Sequence, residues 1–377
     1  MMDSLINAVI YVFSFVAMLS ILVFVHEWGH FIIARLNKVR VDVFSIGIGP
    51  EIWGRTDKKG TRWKISALPI GGYVKFFGDA SAASTPDSDL DHMTAEERDV
   101  SFHHKKLYQR AAIVFAGPIA NLVFAVLILA TFFYIYGQID TPAIVSKVMP
   151  DSAAKAAGME AGDVIVAVDG SKIKRFNDLR IEVLYSAGEG LDIDVLRKDR
   201  IVHLMLTPRL TKITRDGKPV LDDSGKPLEL YQIGVQNIEK VVIRHHSPLS
   251  ALWAGVVETR TIVVQSLRGI RQMIVGTRSV KELSGPIGIA KIAGESAKRG
   301  LDFWIRVMAL VSISLGMINL FPIPLLDGGH LLYYGFEAVL GRKLSERTQE
   351  FGFRIGLVFI LGLMLLASFN DILKFNW

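Results

Sequence analysis

Cysteine is absent from the 377-residue chain. That excludes disulfides and every thiolate metal site, so a bound transition metal would have to rest on imidazole and carboxylate ligands. Basic residues interleaved with aromatics, as on an RNA-binding surface, are also missing. The net charge is +6, but Lys and Arg gather beside apolar stretches, as they do next to membrane spans. No nucleic-acid partner is therefore expected. A basic segment ahead of the first apolar run is lacking too: Asp3 is the only early charge, and no small-residue cleavage site follows. The run is therefore expected to be a retained helix and not a signal peptide. Polar surface is scarce, with 50% hydrophobic residues and a mean hydropathy of +0.35. An ordinary soluble domain is more polar than this.

Four stretches are long and apolar enough to span a bilayer, which takes about 20 residues each. They run roughly over Leu5–Leu36, Ala111–Tyr136, Phe303–Leu326 and Phe351–Phe369. The chain then divides into a first span (1–36), a connection (37–110) and a second span (111–137). A soluble domain (138–242), amphipathic helices (243–302), a third span (303–330), a short connection (331–350) and a last span with its tail (351–377) follow. The connection 37–110 is rich in Lys and Arg, and 331–350 carries Arg342, Lys343 and Arg347. Positive loops stay inside, so both are expected on the cytoplasmic side, with both termini and 138–302 opposite.

Within the soluble segment, Val145–Val148 reads as a strand, and 151–158 as a short helix capped by Ser152 and closed by Gly158. Residues 162–170 alternate and end in an Asp-Gly turn, a hairpin signal. From Val241 to Met273 the spacing becomes helical, with Leu252, Val256, Val263, Leu267, Ile270 and Ile274 on one face and Arg260, Arg268 and Arg271 on the other. Such a helix suits a membrane surface or packing on the soluble domain, and the pattern leaves both open. The stretch 79–100, rich in Ser, Ala, Asp and Pro, reads as a mobile loop.

The chemistry concentrates in His26-Glu27-Trp28-Gly29-His30. Residues four apart share a helix face, so both imidazoles reach one metal ion. Glu27 falls beside that ion, where a carboxylate takes the proton of water that zinc has acidified to a pKa of about 7. Ionisable groups at membrane depth are costly and mark function. The bland reading, groups in the wet interface past a helix end, leaves the spacing unexplained. A catalytic zinc needs a third protein ligand. Asp327 and His330, both in Asn319-Leu-Phe-Pro-Ile-Pro-Leu-Leu-Asp-Gly-Gly-His330, are the candidates. Pro322 and Pro324 break helical hydrogen bonding, either as a simple kink or as non-helical backbone bordering a cavity, where an unwound substrate strand would pair. Ser45-Ile-Gly-Ile-Gly-Pro50 and Gly71-Gly-Tyr-Val74 suggest a β-hairpin or loop entering the membrane, with Gly47 and Gly49 permitting close backbone approach.

HEWGH at 26–30, FSIGIGP at 44–50, FAGPIAN at 115–121, SGPIGIA at 284–290 and NLFPIPLLDGGH at 319–330 together resemble the site-2 protease family of intramembrane zinc metalloproteases. Within it they are most similar to the bacterial regulators of sigma-E. The motifs span nearly the whole chain in the family's order. The resemblance implies an α-helical polytopic membrane protein of four transmembrane helices with a membrane-reentrant β-loop and an inserted α+β PDZ domain. It assigns zinc to His26, His30 and Asp327, and the catalytic base to Glu27. Substrate handling falls to Asn319, Pro322 and Pro324, and the reentrant loop to Gly47 and Gly49. In the PDZ domain, the strand Tyr231–Val235, with Ile233, Gly234 and Val235, would receive a peptide end. Substrates would be single-pass membrane proteins: anti-sigma factors after a first cleavage, or remnant signal peptides. The site is the bacterial inner membrane, in stress-responsive regulated intramembrane proteolysis. One departure is size: the well-known relatives carry two tandem PDZ domains, and about 100 residues here hold one. A bulky residue at Gly234 is expected to alter substrate selection. A non-catalytic scaffold and a zinc transporter are the competing readings; the former has no need of metal ligands, and the latter none of a peptide-binding domain.

Overall fold

The computed structural model describes residues 2–80, 92–215, 218–219, 227, 229–237 and 242–374. The α-helices are α1 (Met2–Leu36), α2 (Ala95–Val100), α3 (Leu107–Ile135), α4 (Ala153–Ala156), α5 (Phe176–Tyr185), α6 (Pro248–Val275), α7 (Pro286–Arg299), α8 (Leu301–Asn319), α9 (Asp327–Leu340) and α10 (Glu346–Lys374). Strands β1 (Val41–Thr56) and β2 (Arg62–Phe76) lie between α1 and α2, and β3 (Gln138–Ile139) and β4 (Lys147–Val148) between α3 and α4. Next come β5 (Val164–Val168), β6 (Ser171–Lys172), β7 (Leu191–Arg197), β8 (Arg200–Leu206) and β9 (Arg209–Lys212). The last strands are β10 (Thr214–Arg215), β11 (Lys218–Pro219), β12 (Glu229–Gln232), β13 (Val235–Gln236) and β14 (Ile243–Arg244).

Among the described residues, four helices are long and apolar enough to cross a membrane: Asn7–Leu36, Leu107–Ile135, Leu301–Asn319 and Arg347–Leu373. The third stops at Asn319, short of the expected Leu326, because Pro322 and Pro324 cannot supply helical N–H donors. Residues 320–326 cross the gap without regular structure, Leu325 adopting φ 99°, and the helical path resumes at Asp327. Half of the expected connection 331–350 is thus the body of α9, closed by Gly341 in the left-handed conformation.

Apart from the last residues of the second and fourth, these helices belong to one unit with β1 and β2. Each long strand bends on itself. Val41–Ile46 pairs antiparallel with Gly72–Phe76 on one side and is flanked by Arg62–Ile65 on the other, which in turn pairs with Trp53–Thr56. The bend in β1 falls at Gly47 and Gly49, with φ of 88° and 97°, a region open to glycine and strained for other residues. Phe44 stacks on Trp63 at 4.5 Å, and both rings meet Phe31 and Trp28 of α1. Phe31, Val41, Phe44, Val74, Phe76, Phe102 and Ile113 form one buried cluster. Close packing of these side chains fastens the sheet to the helix bearing the histidines.

The expected mobile loop over 79–100 is corrected at both ends; residues 81–91 lie outside the described residues. Asp79 is buried and bonds His103 at 2.8 Å. Thr94 and Glu97 form a capping box that starts α2. The T-x-x-E spacing was the signal for it.

α7 also belongs to this unit. Its first turn is capped by Asp371 of α10, whose carboxylate accepts the Gly285 and Gly288 amides at 2.8 Å each. Gly294 meets the Tyr11 ring of α1, which leaves no room for a side chain there. The 284–290 motif thus works in the helical bundle, as a glycine-lined helix start that lets a buried carboxylate reach two amides.

The second unit spans Thr131–Trp253, with Val264–Glu282 and Ile372–Trp377. Its four-stranded antiparallel sheet has the order β6-β5-β7-β8. Val145, Ile165, Val168, Leu179, Ile193, Val195 and Ile233 fill its core. The expected helix and hairpin form, with Ser152 capping α4 and the turn at Asp169-Gly170. Asp163 is 1% exposed; burial pushes its carboxyl up, but hydrogen bonds from Arg197 at 2.7 Å outweigh this and hold it below the usual range. The single strand expected over 231–235 is broken: β12 ends at Gln232, Gly234 turns with φ 81°, and β13 begins at Val235. A side chain at Gly234 would overlap Ser152, so substitution there tests the backbone and not peptide selection. The C-terminal part of α6 packs on this unit, Arg268 pairing with Glu182 at 2.5 Å. Of the two settings left open for this helix, packing on the soluble domain therefore holds for that part.

Candidate metal centre

His26 and His30 lie one turn apart on α1, and their Nε2 atoms are 3.2 Å from each other. Asp327, the first residue of α9, brings Oδ2 to 3.1 Å from His26 Nε2 and Oδ1 to 3.5 Å from His30 Nε2. His330 lines the same cavity but is not part of this convergent group. The geometry therefore selects Asp327 over His330. Zinc bonds nitrogen and oxygen at about 2.0–2.1 Å, so two tetrahedral ligands stand about 3.3–3.4 Å apart. Separations of 3.1–3.5 Å fit that edge. The donor set, two imidazoles and a carboxylate with one position open, is that of a catalytic zinc.

Several elements fix these groups. The first turn of α9 presses on the 320–324 backbone: side chains at Gly328 and Gly329 would overlap Leu320, Phe321 and Ile323. Behind it, Arg110 at the start of α3 bonds Glu337 at 2.6 Å and lies over Tyr334. From α3, the Ile113 carbonyl accepts His30 Nδ1 at 2.9 Å. Gly117 leaves the space that the His30 ring occupies, and Asn121 approaches His26 Nδ1 at 3.2 Å. Gly117 and Asn121 fall in the motif at 115–121, which by itself does not tie them to the histidines, and Ile113 lies just outside it.

The cavity at this cluster holds about 230 Å³, and its lining includes Glu27, Asn319, His330, Gly72, Tyr73 and Val74. The Glu27 carboxylate lies beside the Val74 amide. Gly72 sits so close to α1 that an added Cβ would stand 2.6 Å from Val23 and 3.3 Å from Glu27. Gly71-Gly72, at the second bend, is thus the close approach to the site. Gly47 and Gly49 shape the opposite bend and do not line the cavity, because the chain reaches α1 on its return path. Asn319 lines it as expected. Pro322 and Pro324 are not in its wall; they break the helix, and Pro324 packs on Gly352 and Gly356 of α10. In the other unit, Ile233, Gly234 and Val235 border a groove of about 430 Å³ between α5 and β12, though the Ile233 side chain is buried in the core.

The model of peptidase family M50 matches residues 14–363. Atu1380 of Agrobacterium fabrum, which carries a zinc metalloprotease name, is 43% identical over 366 residues, covering 96% of this chain and 95% of the relative. R01501 of Rhizobium meliloti, similarly named, is 40% identical over 97% of this chain and 96% of its own length. Metalloprotease MmpA of Caulobacter vibrioides is 36% identical, with 99% and 98% covered. The chain belongs to peptidase family M50 and is a zinc metalloprotease.

Proposed function

We propose that this protein hydrolyses a peptide bond within the membrane segment of single-pass proteins, with His26, His30 and Asp327 holding zinc and Glu27 acting as general base. The observation that carries this reading is the convergence of the three ligand side chains at 3.1–3.5 Å beside Glu27, on helices long and apolar enough to lie in a bilayer. Held by these three residues, zinc would supply Lewis acidity to a water molecule and to the scissile carbonyl. Glu27 takes the proton of the water and returns it to the leaving amine. Asn319, at the end of α8, orients the substrate backbone.

Residues 72–74 favour an extended substrate. They form the outer edge of the sheet, beside Glu27, and a strand added there presents its backbone to the centre. A peptide bond inside a helix is screened by its own hydrogen bonds, so the substrate must unwind before cleavage. Ile48, Ile52, Trp53, Ile65 and Leu68 project exposed apolar side chains from the same sheet, which supports its dipping into lipid. The soluble unit is read as one PDZ-like domain whose groove between α5 and β12 receives a peptide end. With the basic loops inside, the centre opens towards the cytoplasm of a bacterial inner membrane, and the soluble unit lies in the periplasm. Anti-sigma factor stubs left by a first protease, and remnant signal peptides, are the substrates in this reading, and regulated intramembrane proteolysis the process.

The test uses purified protein in proteoliposomes with a single-span reporter. Cleavage should stop with a chelator and return with zinc. Glu27→Gln should keep zinc and fold but lose about 10²–10⁴-fold in rate. Cleavage by Glu27→Gln at the original rate would sink the assignment. In cells, membrane stubs that accumulate with Glu27→Gln identify the substrates; their absence from such a comparison would count against single-pass stubs.

A further inference from the structure

Asn121 is fully buried, and its side chain points at His26. For His26 to offer Nε2 to a metal, the neutral ring must carry its proton on Nδ1. That N–H is buried with the ring and needs an acceptor. The Asn121 amide nitrogen lies 3.2 Å from His26 Nδ1, which would set two donors face to face in the metal-binding tautomer. The Asn121 oxygen, meanwhile, is buried with no hydrogen-bond partner. A half-turn of the carboxamide, which exchanges two groups of nearly equal size, resolves the conflict. Oδ1 then accepts the Nδ1–H of His26.

The second histidine shows the same arrangement already made. His30 Nδ1 lies 2.9 Å from the Ile113 carbonyl, leaving Nε2 for the metal. Ile113, Gly117 and Asn121 are successive fours on one face of α3. One helix face thus supplies an acceptor for each ring and a gap between them. Ser312 of α8 donates to the Asn121 carbonyl at 2.8 Å, which fixes the backbone from which the amide projects.

We infer that Asn121 is a positioning residue of the zinc centre: its side-chain oxygen holds His26 in the tautomer and orientation that present Nε2 to the metal. This rests on the reading of His26 as a ligand. Partners of this kind are worth about 10–100-fold in metal affinity.

The experiment measures zinc affinity of the purified full-length protein by chelator competition, with the cobalt-substituted absorption spectrum and the thermal unfolding of the metal-free form alongside. Asn121→Leu, close in size but without an acceptor, should weaken zinc binding about 10–100-fold and shift the cobalt bands, with metal-free unfolding unchanged. Asn121→Asp, which can only accept, should bind zinc at least as tightly as the parent. Asn121→Asp decides the matter even if the leucine variant does not fold. Wild-type affinity in Asn121→Leu, or loss of zinc in Asn121→Asp, overturns the inference. His26→Ala serves as the control: if it keeps full zinc affinity, the ligand reading itself fails, whereas loss there with an unaffected Asn121→Leu defeats the role of Asn121 alone.

Discussion

Asp327 and His330 stand one helical turn apart at the start of α9, and both face the cavity that holds Glu27. Only Asp327 comes within 3.5 Å of the two imidazoles. Removing it should leave two protein ligands, fewer than a stable zinc site uses. Asp327→Ala is therefore expected to purify without zinc, whereas His330→Ala should retain about one metal per chain. Metal analysis of both variants separates the cases, and zinc lost only from His330→Ala would reverse the assignment. At this scale His26, Glu27 and His30 were legible in the sequence because a helix turns local spacing into geometry. The choice between Asp327 and His330 came from the family resemblance and not from spacing, since nothing within 12 residues says which donor faces a helix about 300 residues earlier.

Among the elements, α5 and β12 enclose a groove whose lining includes Leu184, Tyr231 and the Gly234 turn. Leu184 is 38% exposed, so a polar replacement there costs little folding energy while placing charge in the groove. Leu184→Asp should change which protein substrates are cut and leave a short reporter cleaved at the parental rate; equal rates on both substrate types, relative to the parent, would deny the groove a selective role. The cap between α10 and α7 is a second element-scale device. Asp371 is buried and accepts two backbone amides; hydrogen bonds to a charged acceptor contribute about 1.5–3 kcal/mol each. Asp371→Leu is expected to lower the unfolding temperature in detergent by several degrees, and an unchanged transition would mean that the cap contributes nothing. The helices that cross the membrane could be read from hydropathy with ends good to a few residues. The early stop of α8 followed from two prolines whose effect needed no tertiary contact. The double bend of β1 and β2 did not announce itself, because glycines at 47, 49, 71 and 72 mark bends without saying which strand segments then pair.

For the whole molecule, the proposed orientation follows from where Lys and Arg lie along the chain. A protein without cysteine lends itself to a direct check. Single cysteines at Lys58, between β1 and β2, and at Arg200, in the soluble unit, should label from opposite sides of intact cells with an impermeant reagent. Labelling of both from one side would contradict the topology. The sequence by itself determined the class of protein, four apolar spans, the pair of histidines with its glutamate, and the family, because each is written in composition or in spacing along one element. Only the tertiary structure brings the Asp327 carboxylate to within 3.1–3.5 Å of the two imidazoles, places Gly72 rather than Gly47 or Gly49 at the site, and sets α3 against both rings. Those contacts join residues far apart in the chain, and distance in space between such residues is fixed by packing, which no local pattern records.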